Sequence, residues 1–386
     1  MNRFTTTPRA DWQKTVESQG LIYHTAEAEE PGGDDIPYWD ESAYYGFSSR
    51  EIDALERATQ ELDKLCLEAC EHIITEKLWD KIGIDSAAGE LVTKSWETDE
   101  ISIYGRFDLA FDGSGQPKLL EYNADTPTSL VEAAVIQWYW MKDKFPAFDQ
   151  FNSLHERLIE AWGRVKDERA GDGGMVWFSA MADSIEDFIT ITYLRDTATQ
   201  AGLQTADIPV EQIGHHAARH EFMDQQERVI TDLFKLYPWE WLLADQFGRH
   251  IATASTRWLE PPWKMVLSSK GILAVLWELF PDCPYLLPAT FDLAAAGSSY
   301  VRKPLRSREG ANVRIVRPGL PAVETEGPYT GACVYQAYHE LPTFDGRHPV
   351  IGSWIVNGYA CGIGIREDSS LVTGNLSRFI PHVITR

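Results

Sequence analysis

Arg106, Asp108, Glu121 and Asn123 are residues whose types and spacing could do chemistry together. They lie in YGRFDLAFDGSGQPKLLEYNADTPTS, residues 104–129, where two β-type runs flank the turn signal Asp112-Gly113-Ser114-Gly115. A hairpin centred between Ser114 and Gly115 sets Asp108 opposite Glu121 and Arg106 opposite Asn123. Strand side chains alternate faces, so these four share one face. Phe107, Leu109, Phe111, Leu120 and Tyr122 share the other and are expected to face a core. Burying two acids, an amide and a guanidinium without partners is costly. Oxygen ligands suit a hard divalent cation such as Mg²⁺, and a guanidinium suits phosphate, so a metal-bound phosphate is the natural partner of such a face. The same alternation also fits the solvated outer face of an ordinary hairpin.

Three further clusters lie far along the chain. In YVRKPLRSREGAN a strand presents Lys303, and a polar turn containing Gly310 leads into a second strand. Backbone N–H groups of such a turn, helped by Lys and Arg, can close over a triphosphate, although no Walker A loop is present. Basic hairpin turns are also common plain surface. Tyr335-Gln336-Ala337-Tyr338 is an alternating strand that could edge an adenine or be ordinary sheet. Arg366 ends a strand beside Glu367 and Asp368, ahead of Leu371-Val372-Thr373-Gly374, and a salt-bridged strand end fits equally. Lys270, taken alone, reads as a surface lysine.

These residues need a large scaffold, and the composition supplies one. The chain has 386 residues, 44 % of them hydrophobic, with 14 Trp, which is enough for two or three packed lobes and argues against disorder. The net charge of −23 disfavours nucleic acid and anionic membrane as partners and attracts cations such as polyamines. It leaves oligomeric state open. Five scattered cysteines fit core thiols of a reducing compartment; a cysteine hydrolase is conceivable, but nothing local marks a nucleophile. No secretory or membrane-spanning segment is evident, so a cytoplasmic location is expected.

A helix is predicted from Ser49 to about Ile82, capped by Ser48 or Ser49, with Ile52, Leu55, Leu62, Cys66, Ala69 and Ile73 at helical spacing. Further helices are expected over 129–144, 152–166, 184–202 and 269–280. Residues 175–178 and 203–210 read as strands around the third of these, a βαβ rhythm. Loops are expected at 31–35 and 171–174, and strands at 299–305, 311–317, 332–338, 350–356 and 359–366. The tryptophans of LYPWEWL read as core.

Arg-x-Asp, then Glu-x-Asn about a dozen residues on, then a Pro-containing loop, resembles the metal-binding end of ATP-grasp ligases. So does the lysine pair Lys270 and Lys303, about 33 residues apart with a Gly-containing loop after the second. In most such enzymes the lysines precede the acid/Asn signature; here they follow it. That order, together with YGRFDLAFD, LLEYNADTPTSL, LYPWEWL, SSKGILAVLWELFP, YVRKPLRSREGANV and GIGIREDSSLVTGNLSRFIPH, resembles the synthetase domain of the glutathionylspermidine synthase family over residues of about 10 to 384. The resemblance implies an α/β (α+β), circularly permuted ATP-grasp-like fold with an additional α/β, pre-ATP-grasp-like lobe. Its lobes would span 1–150, 151–260 and 261–386: the helical segment with the metal hairpin, a substrate lobe, and the lysine lobe with the C-terminal strands. Bifunctional members carry an amidase domain ahead of this part, so a standalone synthetase is expected.

The resemblance further implies carboxylate–amine ligation with ATP and one or two Mg²⁺ ions. Asp108, Glu121 and Asn123 would hold metal. Arg106 and Arg366 would act on the transferring phosphoryl group and the acyl phosphate. Arg106, Phe107, Asp108, Lys270, Lys303, Gly310, Gln336, Tyr338, Leu371, Val372 and Thr373 would form the ATP site, with the Gly310 turn as a mobile lid. Thr126, Thr128 and Ser129 would meet the acid, a small-molecule or peptide carboxylate; family serines are expected near here, and threonines keep the hydroxyl. Glu186 and Asp187 would meet the amine, or simply favour their own helix N-terminus. A protein that kept the fold only to bind ATP or a peptide is the alternative.

Overall fold

Strands Tyr104–Ala110 and Lys118–Asn123 pair antiparallel, with Arg106 opposite Asn123 and Asp108 opposite Glu121 as the turn chemistry predicts. The pairing belongs to a computed structural model that describes residues 1–26, 35–168 and 174–385. Beyond Asp108 a bulge shifts the register and Leu109 pairs with Leu119. A bulge sets two residues of one strand against one of the other and restarts the alternation. Leu119 therefore enters the core, and Leu120, expected there, turns to the face that carries the acids.

The hairpin forms one end of a five-stranded antiparallel sheet. Its order is Arg378–Ile380, Tyr359–Asp368, His348–Val356, Tyr104–Ala110, Lys118–Asn123. The first and last parts of the chain thus share one sheet. Gly352 pairs with Asp108, and a Cβ there would meet Arg106 Cδ at 2.7 Å, so glycine lets the arginine lie flat across the sheet. The opposite face packs on the helix Ser49–Thr75, which a Ser48/Glu51 capping box opens. That helix stops short of the predicted end: Lys77 takes φ 53°, and a separate short helix, Trp79–Ile82, follows.

A parallel sheet, ordered Arg257–Leu259, Asp232–Lys235, Met175–Ser179, Gln204–Asp207, has the helix Ile185–Gln200 as crossover, as the βαβ rhythm implies. The third large sheet is antiparallel: Ala289–Thr290, Cys333–Ala337, Tyr300–Pro304, Arg314–Val316, Val323–Glu324. Together these elements make a mixed α+β scaffold. The helix expected over 129–144 is instead a π-helical turn, Glu132–Ile136, running into the α-helix Gln137–Lys144. The helix expected over 269–280 forms over Ile272–Leu279, so that Lys270 lies ahead of it, between it and the short helix Lys264–Ser268. The loops predicted at 31–35 and 171–174 fall largely outside the described residues. No helix among the described residues is long and apolar enough to cross a membrane.

Candidate active site

A cavity of about 240 Å³ opens between the two antiparallel five-stranded sheets and the carboxyl end of the parallel one. Asp108 is its centre. Arg106 donates from Nε to Asp108 Oδ1 at 2.8 Å, and Arg366 donates from Nη2 to Oδ2 at 2.8 Å. Asn123 Nδ2 reaches the same oxygen at 3.3 Å. Burial pushes the Asp108 carboxyl up, but Arg106 and Arg366 outweigh it and hold the carboxyl below its ordinary value. Arg106 Nη1 also donates to the Thr128 carbonyl at 2.6 Å, fixing the loop after the hairpin.

Lys270, which alone reads as a surface residue, is buried and donates to Glu121 Oε1 at 2.7 Å and to the Ser307 carbonyl. Lys303 is buried too, donating to the Leu120 carbonyl at 2.7 Å and Gln336 Oε1 at 2.8 Å. Burial lowers its ammonium to about 8, against the pull of Glu121 and Asp108. Gln336 in turn donates to the Leu119 carbonyl at 2.9 Å, so the bulged strand and the third sheet are stitched through one lysine and one amide. Gly310 takes φ +70°, and a Cβ there would sit 2.5 Å from the Thr373 carbonyl oxygen and 2.7 Å from Val372 Cγ1. The turn through Gly310 is thus seated on the Leu371–Thr373 segment.

Thr126, Thr128, Asp187 and Tyr338 line the same cavity. Of the residues singled out from sequence, three do not. Phe107 is fully buried on the core face, its ring stacked 3.9 Å from that of Tyr122, so alternation turns its side chain away from the cavity as the hairpin pattern predicts. Ser129 is buried, its Oγ 3.0 Å from the Tyr38 hydroxyl. Glu186 sits just behind the wall, hydrogen-bonded to Thr128, and burial with the neighbouring Glu132 and Asp187 pushes its carboxyl up to about 7. Ser184 caps this helix by accepting from Asp187 N–H.

Sequence reasoning undervalued Arg308, which donates to Thr126 Oγ1 at 2.9 Å and to Glu240 Oε1 at 2.6 Å. It also undervalued Trp241, which lines the cavity half-exposed beneath that guanidinium, whereas Trp239 is core as expected. A second cavity, about 270 Å³, shares Glu121, Asn123, Thr126, Lys270 and Arg308 with the first, so two cavities meet at the acidic end of the hairpin. Asp108, Glu121 and Asn123 offer oxygen donors of the kind hard cations take. No group of three or more His, Cys, Asp or Glu side chains gathers as a metal site among the described residues. All five cysteines are free; Cys66, Cys70 and Cys361 are buried with thiols pushed up by burial, which makes poor nucleophiles.

An α+β scaffold that gathers three arginines, two lysines and four carboxylates around one cavity is built to manage concentrated charge. The chain belongs to the family described as glutathionylspermidine synthase preATP-grasp, whose model matches residues 3–385. With it the chain falls among the carbon–nitrogen ligases. A Haemophilus influenzae protein named "putative acid–amine ligase" is 41 % identical over 99 % of both chains. Trypanothione synthetase of Crithidia fasciculata is 28 % identical over 79 % of this chain and 49 % of its own length. The bifunctional glutathionylspermidine synthetase/amidase of Escherichia coli is 25 % identical over 89 % and 59 %. The chain therefore spans about half to three-fifths of these last two proteins.

Proposed function

We propose that this enzyme uses ATP and Mg²⁺ to join a carboxylate, such as a glutathione-like peptide, to an amine, such as a polyamine, through an acyl phosphate. One observation carries the reading: Arg106, Lys270, Lys303 and Arg366, from four distant segments, converge with Asp108 and Glu121 on one cavity. Phosphoryl transfer needs positioning and charge neutralisation more than a side-chain nucleophile, and that is what such a set provides. In this reading the chain is a permuted ATP-grasp unit with lobes over 1–150, 151–260 and 261–386, the first and third joined through the hairpin's sheet.

Asp108, Glu121 and Asn123 present hard oxygens of the kind magnesium takes and would hold it in the cavity. One or two bound ions would neutralise phosphate charge. Lys270 and Lys303 hold the α- and β-phosphates as point charges. Gln336 and Tyr338 edge the adenine, with Leu371, Val372 and Thr373 closing over the nucleotide and the Gly310 turn excluding water. Arg106 stabilises the transferring phosphoryl group and the oxyanion, while Arg366 faces the γ-phosphate or the acyl phosphate. Thr126 and Thr128, with Ser129 behind them, place the acid. Glu186 and Asp187 receive the ammonium end of the amine.

Incubation with Mg-ATP and a panel of thiol peptides and amines tests this reading. ADP and an amide product, identified by mass spectrometry, are expected only when acid and amine are both present. ATP binding without ADP release for every pair would instead leave a nucleotide- or peptide-binding protein.

A further inference from the structure

Glu132 is a buried acid for which the steps above have no use. It opens the π-helical turn and is fully buried; its Oε1 accepts from the Tyr38 hydroxyl at 2.7 Å and the Tyr23 hydroxyl at 3.0 Å. Its Oε2 has no hydrogen-bond partner. A buried carboxylate oxygen without a donor is costly, and π turns recur at functional sites. Tyr38 ties this carboxyl to the cavity. Its hydroxyl meets Ser129 Oγ, Ser129 holds φ +66°, and the preceding Thr128 gives its carbonyl to Arg106 and hydrogen-bonds Glu186. An unbroken run of contacts therefore links Glu132 to the guanidinium and to the acid that flank the reacting centre.

We propose that Glu132 is a positioning residue for the amine step: clamped by two tyrosines, it holds the Thr128 loop and a like charge behind Glu186, and Glu186 takes the proton that the substrate ammonium must shed. This rests on the ligase reading above. The amine arrives as an ammonium ion. One proton passes to Glu186; the freed lone pair forms the C–N bond as the C–O bond to phosphate breaks. The second N–H proton leaves with the phosphate, and Glu186 returns its own to solvent. A base near neutrality suits this transfer better than an ordinary carboxylate. Burial raises Glu132 as it raises Glu186. The Tyr38 and Tyr23 hydroxyls and Arg106 oppose it at Glu132; at Glu186, Asp187 and Glu309 add to it and Thr128 opposes. Glu132 is thus one of the like charges that raise Glu186.

The test uses the full chain with ¹³C-carboxyl-labelled glutamate, followed by NMR from pH 5 to 9. In the wild type one resonance, removed by Glu186→Gln, should titrate near neutral pH. In Glu132→Gln it should titrate lower by about one unit or more, because a like charge has gone. Tyr38→Phe keeps both carboxyls and withdraws a donor from Glu132, so the resonance that Glu132→Gln removes should titrate higher while that of Glu186 does not rise; these opposite signs separate coupling from general damage. An unchanged Glu186 titration in Glu132→Gln, or a downward shift of the Glu132 resonance in Tyr38→Phe, would overturn the proposal. The acidic limb of the amine-dependent kcat/KM should move with the NMR titration, and a limb that stays put overturns the amine role. Absence of ADP release with every acid and amine would sink the ligase reading instead, while the NMR titration still decides the coupling.

Discussion

Asp108 has two guanidinium partners and Glu121 has one ammonium, and this difference decides how the two acids can be tested. Replacing Asp108 by Asn leaves Arg106 and Arg366 buried against an uncharged amide. Breaking a buried pair in this way costs about 3–5 kcal/mol. Asp108→Asn is therefore expected to lower thermal stability as well as to abolish ADP formation. Glu121 is about a quarter exposed, and its loss leaves Lys270 still bonded to the Ser307 carbonyl. Glu121→Gln should keep the melting temperature within a few degrees while ADP release falls about 10²-fold or more; near-normal turnover in a folded Glu121→Gln protein would refute the metal assignment. Lys303 gives a second residue-scale prediction. Its charge is complete well below about 8 and is lost as pH rises through that value. Since kcat/KM reports the free enzyme, kcat/KM for ATP should fall along an alkaline limb near pH 8. Lys303→Arg, which cannot deprotonate in this range, should flatten that limb even if its plateau is lower. The same limb in both proteins would remove Lys303 from phosphate binding.

At the scale of elements, the Gly310 turn is the part most exposed to a single methyl group. A side chain at φ +70° costs about 1–2 kcal/mol, and here its Cβ would also collide with the Thr373 carbonyl. Gly310→Ala should unseat the turn from the Leu371–Thr373 segment, raising KM for ATP about tenfold with little change in melting temperature; an unchanged KM would mean that the turn does not close over the nucleotide. This contact also shows what a sequence can and cannot disclose. The hairpin register around Arg106, Asp108, Glu121 and Asn123 was legible because turn residues and two-residue alternation are local signals. The βαβ unit around Met175–Ser179 was legible for the same reason. The bulge that turns Leu120 toward the cavity was not, because it depends on the Leu120 and Leu119 carbonyls meeting Lys303 and Gln336 from a distant sheet. Lys270 looked like surface because its burial comes from Glu121 and Ser307, far away in sequence. The π turn at Glu132 escaped the helical period because one inserted residue leaves the apolar pattern nearly intact while re-aiming a single acid. Local chemistry thus announced the charged face, and long-range packing decided what else faces it.

At the scale of the whole molecule, the surface and the cavity carry different electrostatic messages. A net charge of −23 surrounds the protein with a field that attracts cations and repels nucleotides. Inside the cavity, Arg106, Lys270, Lys303, Arg308 and Arg366 slightly outnumber Asp108, Glu121, Asp187 and Glu309, so the acidic excess of the surface is absent over a short range. Small-ion screening shortens the long-range field, the screening distance being about 10 Å at 0.1 M salt, but barely touches contacts inside a closed site. The two substrates should therefore respond to salt in opposite directions. Between about 20 mM and 200 mM salt, kcat/KM for a triamine should fall several-fold, because steering of a trivalent cation is lost. Over the same range kcat/KM for ATP should stay level or rise, because the repulsive outer field is screened while the phosphate contacts are not. A monoamine offered to the same enzyme should show a shallower fall than the triamine, since the steering energy scales with charge. Initial rates at fixed pH, with each substrate varied in turn, supply the comparison. Parallel slopes for amine and nucleotide would mean that the acidic surface serves solubility alone and that the amine is chosen by the Asp187 side of the cavity without help from the field.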